Sequence, residues 1–400
     1  MYDHSGRISP YPACFSGAVW NCRKYERAVH YLHRFPHDAL HGSYFYRIAA
    51  GGEDTQVDAE YGDYREGAAG SVNRQDERIK TLLKVQSRVD LIIIMTKLGV
   101  VLVNYNGIEY NEACIESIRA SDWDGEILIF CVDNDSQDGS PARLEECYGD
   151  EVWFHLIRMG KNAGFATANN RGLHEAVRAG CDCLMLLNND TCIRKDMIRK
   201  LVAGALSVQG KACIVAPKIY YWDHKDTIWS AGGYLTSIIK KPVSRGEGEK
   251  DTGKYRKKKE CTYLNGCCMF LSAETFLKIG DMDEDFFLYY EDTEYCMRAR
   301  EKGIRLLYCP GAKMYHKVSA STGGSSSPAC AYYISRNWPM CMRKRMEKWR
   351  FPLFLIYFLI NRTACFLLWI VHGNGDLAEA GFKGMVDFLV GTTGKYQKII

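Results

Sequence analysis

Polar side chains gather at a few points along the chain where their types and spacing could do chemistry. Asn104-Tyr105-Asn106-Gly107, Asp133-Asn134-Asp135, Gly160-Lys161-Asn162-Ala163-Gly164 and Asn188-Asn189-Asp190-Thr191 each follow a short apolar run. A carboxylate such as Asp133 can accept the imide N–H of a uracil or thymine ring, and Tyr105 can cover the face of a base. Gly164, just before a helix, lets backbone N–H groups approach an anion. Lys161 offers a mobile positive charge for phosphate. Asp190 is a candidate ligand for Mg²⁺ or Mn²⁺, which take oxygen from one or two carboxylates and from substrate phosphates. Together these groups suit nucleotide recognition. Asn, Asp and Gly also make ordinary turns, so the reading depends on all of the loops meeting at one place.

Downstream, Asn265-Gly266-Cys267-Cys268 precedes an aromatic stretch, Phe286-Phe287-Leu288-Tyr289-Tyr290, which leads into Glu291-Asp292-Thr293-Glu294. Acidic residues at a helix start complement the helix dipole. Equally, one of them can act as a general base at the edge of a partly desolvated pocket that tunes its pKa. His316 taken alone reads as a surface or core histidine.

Elements that would bring these loops together are legible from Gly99 onward. Apolar runs at 100–103, 126–132, 152–157, 183–187 and 213–216 alternate with helical patterns at 110–120, 140–147, 165–179 and 195–208. A later helix is predicted over 295–302 and a strand over 304–308. Short apolar strands between helices predict an α/β fold, a mostly parallel sheet covered on both faces. In such sheets ligands bind beyond the carboxyl ends of the strands, which is where every one of the first four loops falls. No GxGxxG follows the first strand and no GxxxxGK[ST] occurs anywhere, which argues against a dinucleotide dehydrogenase and a P-loop NTPase.

Composition narrows the rest. The 400 residues carry 52 Lys+Arg against 48 Asp+Glu, a net +4. That is too mild a charge for a general grip on nucleic acid, and Lys254–Lys259 reads as a solvated basic loop. The 17 cysteines are odd in number and scattered, so they are expected to be reduced thiols. Cys181/Cys183 and Cys267/Cys268 lack zinc-site spacing. His30, His33, His37 and His41 hint at a metal face, but Pro36 interrupts it. The N-terminus has no secretory signal pattern, and Met95 is a possible alternative start.

The succession VLVNYN, VDNDSQDGS, GKNAGFATANNRGL, LLNNDT, NGCCMF, GDMDEDFFLYYEDTEYCMR and PGAKMYH resembles glycosyltransferase family 2, more closely its rhamnosyltransferase- and galactofuranosyltransferase-like branch. The likeness runs from about Met95 to Asn337. It implies a GT-A fold and inverting transfer of a sugar from a nucleotide-diphosphate donor, with Mg²⁺ or Mn²⁺ as cofactor. By that resemblance Asn104, Tyr105, Asn106, Asp133, Asp135, Lys161, Asn162, Gly164 and Asn189 bind the nucleotide. Asp190 binds the metal from the DxD position, whose first place is taken by Asn188, and His316 assists it. Asp292, with Glu291 beside it, is catalytic. Asn265 and Gly266 meet the acceptor, a glycan or lipid-linked hydroxyl in cell-surface polysaccharide synthesis. A sugar-nucleotide nucleotidyltransferase and a non-catalytic membrane-associated scaffold of the same fold are the alternatives. The first lacks its Gly-rich phosphate loop here, and the second would be favoured by loss of Asp190 or Asp292.

Three regions are expected: an extension over 1–94, a catalytic domain over 95–337, and a basic, apolar helical segment over 338–400. In the last, Arg343-Lys344-Arg345 and Lys348-Trp349-Arg350 precede two apolar runs divided by Asn361-Arg362-Thr363. Their joint length suits a bilayer crossing, but a central arginine is costly there. Basic residues beside an aromatic-rich apolar helix suit peripheral attachment to the cytoplasmic face of a membrane. A true span and a buried helical hairpin are the other readings. Ser319–Ser327 is positioned to act as a lid.

Overall fold

A computed structural model describes residues 97–208, 211–317 and 327–396. The extension over 1–94 with its histidines, and all but the last residue of the expected lid, lie outside the described residues. Along the chain run β1 (Lys97–Asn104), α1 (Asn111–Arg119), β2 (Glu126–Asp133), α2 (Ser140–Tyr148), β3 (Phe154–Arg158), α3 (Phe165–Arg178), β4 (Cys183–Asn188), β5 (Thr191–Ile193) and α4 (Met197–Leu206). Then come β6 (Cys213–Tyr221), β7 (Ile228–Ser230), β8 (Gly233–Leu235), β9 (Pro242–Ser244), β10 (Lys259–Cys261), β11 (Cys268–Ser272), α5 (Ala273–Ile279), α6 (Glu291–Glu301) and β12 (Arg305–His316). Three helices close the order: α7 (Pro328–Arg345), α8 (Phe351–Val371) and α9 (Gly375–Val390).

The strands form one large mixed sheet in the order β10-β12-β6-β11-β4-β1-β2-β3, with β5 and β7 paired onto β12 and β6. The long strands β3, β2, β1 and β4 are parallel neighbours, and so are β6 and β12. Only β11, wedged antiparallel between β4 and β6, separates these two parallel blocks. Alternate residues of each strand face opposite layers. Val101, Phe130, Val132, Leu184 and Leu186 pack with α3, α5 and α6. Leu98, Val100, Leu102, Ile129 and Met185 pack with α1, α2 and α4. Burial on both faces explains why these strands are apolar throughout.

Register places the polar loops level with one another. Asn104 lies opposite Asp133, Asp133 opposite Arg158, and Val103 opposite Asn188. The strand order turns at β1 and β4, the switch point at which such sheets bind ligands.

Some boundaries differ from expectation for identifiable reasons. The third strand begins at Phe154, and Val152 is 87% exposed. The helix expected from 295 begins at Glu291, so both carboxylates belong to its first turn. The strand expected to stop at 308 continues to His316 through a register shift between Cys309 and Lys313. Pro310-Gly311 reads as a terminator in sequence but is absorbed by that irregularity.

The C-terminal segment is fastened to the preceding sheet-and-helix layer. The boundary drawn between 337 and 338 falls inside α7, which runs unbroken through Pro339. Arg336 is fully buried and donates to the Gly394 carbonyl at 2.7 Å. Gly384 of α9 sits so close to α7 that a Cβ there would lie 2.3 Å from the Tyr332 carbonyl oxygen. The basic run before α8 is largely spent within the protein. Lys344 pairs with Asp283 and Asp285, both at 2.6 Å, and Arg345 with Glu294 at 2.6 Å and Glu301 at 3.1 Å. The free basic patch the sequence suggested is thus reduced, with Arg343 and Lys348 still exposed. The two apolar runs form the single helix α8, through Asn361-Arg362-Thr363. Among the described residues α8 is the one helix long and apolar enough to cross a membrane. Its outer face, with Leu353, Ile356, Ile360, Leu367 and Ile370, is exposed.

Candidate active site

Two groups of residues, one on each side of the turn 263–267, make up the site. The first is a network at the ends of β1, β2 and β4. Asn104 is fully buried, and its Nδ2 donates to Asp133 Oδ1 (2.8 Å), Ser136 Oγ (3.1 Å) and Ser140 Oγ (2.8 Å). Its Oδ1 accepts from Asn111 Nδ2 at 2.8 Å and from Asn189 Nδ2 at 3.4 Å. The amide that sequence places on the nucleotide is thus fully used within the protein. The same holds for the Asn189 amide nitrogen, which also donates to Asn111 Oδ1 at 2.7 Å. Both residues shape the floor, and neither amide nitrogen is free for a ligand. Gly107 is required beneath them, since a Cβ there would meet Asn189 Nδ2 at 2.2 Å.

Asn134 and Asn162 do the same for the neighbouring loop. Asn134 Nδ2 donates to Asn162 Oδ1 at 3.0 Å, and Asn134 Oδ1 accepts from Ala163 N at 2.9 Å. Asn106 and Asp135 hold left-handed backbone, with φ of 53° and 71°, which Asn and Asp tolerate better than most residues. Tyr105 and Asp135 are half-buried, whereas Asn106 and Lys161 are exposed at the rim. Gly164 serves a different need from the one expected. Its φ is 90°, and a Cβ would lie 2.5 Å from the Phe287 carbonyl oxygen, which accepts a hydrogen bond from Phe165 N at 2.8 Å. The glycine brings α3 against the segment that precedes Glu291.

Asp190 and His316 meet where β5 pairs with β12, Thr191 lying opposite His316. His316 Nε2 is 3.1 Å from Asp190 Oδ1, but the approach lacks hydrogen-bond geometry. Asp190 Oδ1 and both imidazole nitrogens of His316 are buried without a hydrogen-bond partner. Unpaired buried polar atoms are costly, and an oxygen and an imidazole nitrogen so placed fit a divalent cation. Among the described residues no cluster of at least three His, Cys, Asp or Glu side chains is present, so other ligands of such an ion would come from substrate oxygens. Trp229 packs edge-on against His316, ring centres 4.6 Å apart, and fixes its plane.

On the other side of the turn, Asp292 Oδ2 accepts from the Tyr263 hydroxyl at 2.7 Å and from Gly266 N at 3.0 Å. Its Oδ1 accepts from Thr293 Oγ1 at 3.1 Å. Glu291 is 6% exposed, and its Oε2 has no hydrogen-bond partner. Burial, and then the charge of Asp292, push the Glu291 carboxyl well up from its usual range. Burial also raises Asp292, against the lowering effect of its hydrogen bonds. Burial and the Asp292 charge raise the Tyr263 phenol, which stays a proton donor. Both carboxylates line a cavity of about 500 Å³ with Tyr263, Asn265, Trp338, Asn361 and Arg362. Tyr289 and Tyr290 enter α6 with φ of 64° and 74°, and Asn337 Nδ2 holds them by donating to the Leu288 and Tyr289 carbonyls, each at 2.8 Å. Strained backbone of this kind persists only where surroundings over-determine it.

The two halves share the turn. Asn188 N donates to the Cys267 carbonyl at 2.9 Å while the neighbouring Gly266 N donates to Asp292. Asn265 lines the cavity, its Oδ1 accepting from Cys267 N at 2.8 Å. Residues that sequence left unassigned are Asn111, Asn134, Tyr263, Asn337 and Arg362. Tyr263 and Asn337 meet partners 29 and 48–49 positions away, so no local pattern marks them. The cysteines are free among the described residues, in keeping with reduced thiols, and Arg256–Lys259 is exposed.

The model of the family "Glycosyl transferase family 2" matches residues 99–280. The chain is 30% identical over 212 residues to "dTDP-rhamnosyl transferase RfbF" of Shigella flexneri, which covers 50% of this chain and 67% of that protein. It is 27% identical over 248 residues to "Low-salt glycan biosynthesis hexosyltransferase Agl10" of Haloferax volcanii, covering 61% and 75%. It is 24% identical over 275 residues to "N-acetylglucosaminyl-diphospho-decaprenol L-rhamnosyltransferase" of Mycobacterium tuberculosis, covering 64% and 87%.

The buried Glu291 carboxyl gives a pH signature in stability. Between the ordinary carboxylate range and its raised folded value, the folded protein keeps a proton that the unfolded chain has released. Its contribution is complete below the ordinary range and is lost as pH rises through the folded value. Glu291→Gln should therefore melt close to the unaltered protein at pH 5 and above it at pH 9, by roughly 3 °C or more. Thermal melts at both pH values check this. A variant that melts lower by the same amount at each would mean that Glu291 is held by a bond its charge needs.

Proposed function

The chain belongs to glycosyl transferase family 2 and is a hexosyltransferase, and from that premise we propose that it transfers rhamnose or another hexose, with inversion, from a UDP- or dTDP-sugar to a hydroxyl of a glycan or lipid-linked acceptor. Rhamnose leads because two of the relatives are named for its transfer. The observation that carries the reading is Asp292, oriented by Tyr263, Gly266 and Thr293 at the wall of the cavity.

Nucleotide binding falls to the edge formed by Tyr105, Asn106, Asp133, Asp135, Lys161 and Asn162. Asn104, Asn111, Asn134 and Asn189 hold those loops in place. Asp190 and His316 would hold Mg²⁺ or Mn²⁺ together with diphosphate oxygens; when bound, such an ion neutralises charge developing on the leaving diphosphate. In the transfer, an acceptor oxygen bonds to the anomeric carbon while the bond from that carbon to the diphosphate oxygen breaks. The electron pair departs with the nucleoside diphosphate, and the acceptor's proton passes to Asp292. A carboxylate has about four lone-pair sites, so the hydrogen bonds named above leave one for that proton. The raised pKa of Asp292 makes it the stronger base once it is ionised. The leaving diphosphate needs no proton, so no second acid is called for.

The exposed apolar face of α8 supports attachment at the cytoplasmic surface of a membrane. Lys344 and Arg345 are engaged elsewhere, so apolar contact would carry most of it, with Arg343 and Lys348 as the exposed cations nearby. The full chain should co-float with lipid vesicles, and Leu367→Glu with Ile370→Glu should abolish flotation. A chain that stays in the aqueous phase without detergent contradicts attachment.

Release of nucleoside diphosphate from a panel of UDP- and dTDP-sugars, with and without Mn²⁺ and acceptor, tests the reaction. Asp292→Asn should cut kcat by roughly 10²–10⁴-fold and leave donor Kd within about threefold. Asp190→Ala should weaken donor binding and remove its dependence on Mn²⁺. Normal turnover by Asp292→Asn would sink the base assignment, and an unchanged Mn²⁺ response in Asp190→Ala would sink the metal assignment.

A further inference from the structure

Lys317 comes directly after His316, where β12 ends. Its backbone N donates to the Asp190 carbonyl at 3.0 Å, so its main chain is tied to Asp190 itself. The side chain is exposed, and its ammonium lies 4.6 Å from the centre of the half-buried Tyr110 ring. Tyr110 precedes Asn111 at the start of α1, and Asn111 Oδ1 accepts from Asn189 Nδ2 at 2.7 Å. Lys317 and Tyr110 therefore meet across the Asn189–Asp190 step. Among the described residues Lys317 forms no ion pair. A cation over a ring open to solvent gains little from it and stays available for an anion.

Lys161, the lysine that sequence offered for phosphate, is placed differently. Its loop follows β3, three strands from β4 in the sheet. Neighbouring strands are about 4.8 Å apart, so the loops after β3 and β4 begin about 14 Å from each other. A lysine stem of four carbons does not span that gap.

We propose that Lys317 is the lysine that binds the donor's diphosphate beside Asp190, that Tyr110 is the positioning residue that holds its ammonium there, and that Lys161 serves the nucleoside end. The nucleoside lies over the loops after β1, β2 and β3, so the diphosphate passes the Tyr110–Lys317 contact on its way to Asp190 and His316. An ammonium with three rotatable donors on a flexible stem can follow the diphosphate oxygens. This inference rests on the glycosyl-transfer reading and deepens it by giving the diphosphate a residue that lies just past the last of the sequence motifs.

Calorimetric binding of uridine, UDP, thymidine and dTDP to the full chain, in Mn²⁺ and again in EDTA, tests it without turnover. Lys317→Ala should weaken the diphosphate of the preferred base by roughly tenfold and leave its nucleoside within about twofold, whereas Lys317→Arg should keep most of the affinity. The loss should persist in EDTA and shrink at high salt. Lys161→Ala should change nucleoside and diphosphate by the same factor. Tyr110→Leu should lose part of the diphosphate affinity, and Tyr110→Phe, which keeps the ring, should not. Equal losses on nucleoside and diphosphate in Lys317→Ala overturn the proposal, because Lys317 would then only support the loop. A loss confined to Mn²⁺, or a diphosphate-specific loss in Lys161→Ala instead, also overturns it. Full affinity in Tyr110→Leu contradicts the role given to that ring. Failure of the glycosyl-transfer reading looks different: neither nucleoside nor diphosphate binds the unaltered protein in Mn²⁺.

Discussion

Glu291, buried, and Asp292, half-buried, stand side by side in the first turn of α6, and two carboxylates so placed resist being ionised together. What makes the arrangement tolerable is a set of donors aimed at one of them. The Tyr263 hydroxyl and the Gly266 N–H converge on Asp292 Oδ2, and hydrogen bonds to a charged group contribute about 1.5–3 kcal/mol each. The helix N-terminus adds its own favourable field. Asp292 is thereby favoured as the ionised member, and Glu291, with Oε2 unpartnered, is favoured as the protonated one. Much of the C-terminal half answers to this pair. Asn337 holds the strained tyrosines that lead into α6, Trp338 stacks on Tyr290, and α8 closes the cavity. The terminal helices therefore form part of the wall of the candidate site.

The loops proposed to meet the nucleotide follow a different principle. Buried amides, led by Asn104, are spent on one another and on Asp133, so that the loops carrying the rim residues are held in place. A fully satisfied polar network of this kind is rigid, and it fails as a unit if one member is lost. The turn 263–267 joins this network to the carboxylate pair through Asn188 and Gly266. Asp190 and His316 stand apart from it, with Asp190 Oδ1 and both imidazole nitrogens buried and unpartnered.

Much of this was legible in the sequence because it is local. Apolar strands, the loops after them and the first-turn carboxylates of α6 all sit within short windows, and parallel register then aligns the loops automatically. What escaped was non-local. Tyr263 reaches Asp292 across 29 positions and Asn337 reaches Leu288 across 49, and neither belongs to a pattern. Asn104 looked like a ligand group because an asparagine ending a strand has that appearance; only its neighbours reveal that its amide is already used. Lys344 and Arg345 looked like a membrane-facing patch because their acidic partners lie some 44 to 61 positions upstream. Arg362 looked like an obstacle to a membrane helix until the cavity behind it was visible.

The central claim is that the carboxylate held by Tyr263 and Gly266 is the base that takes the acceptor's proton. The most direct test is the pH profile of kcat/KM for transfer in the unaltered protein and in Tyr263→Phe. The phenol stabilises ionised Asp292, so its removal should move the acid limb of the profile to higher pH. An acid limb that stays in place, or moves to lower pH, would contradict the account.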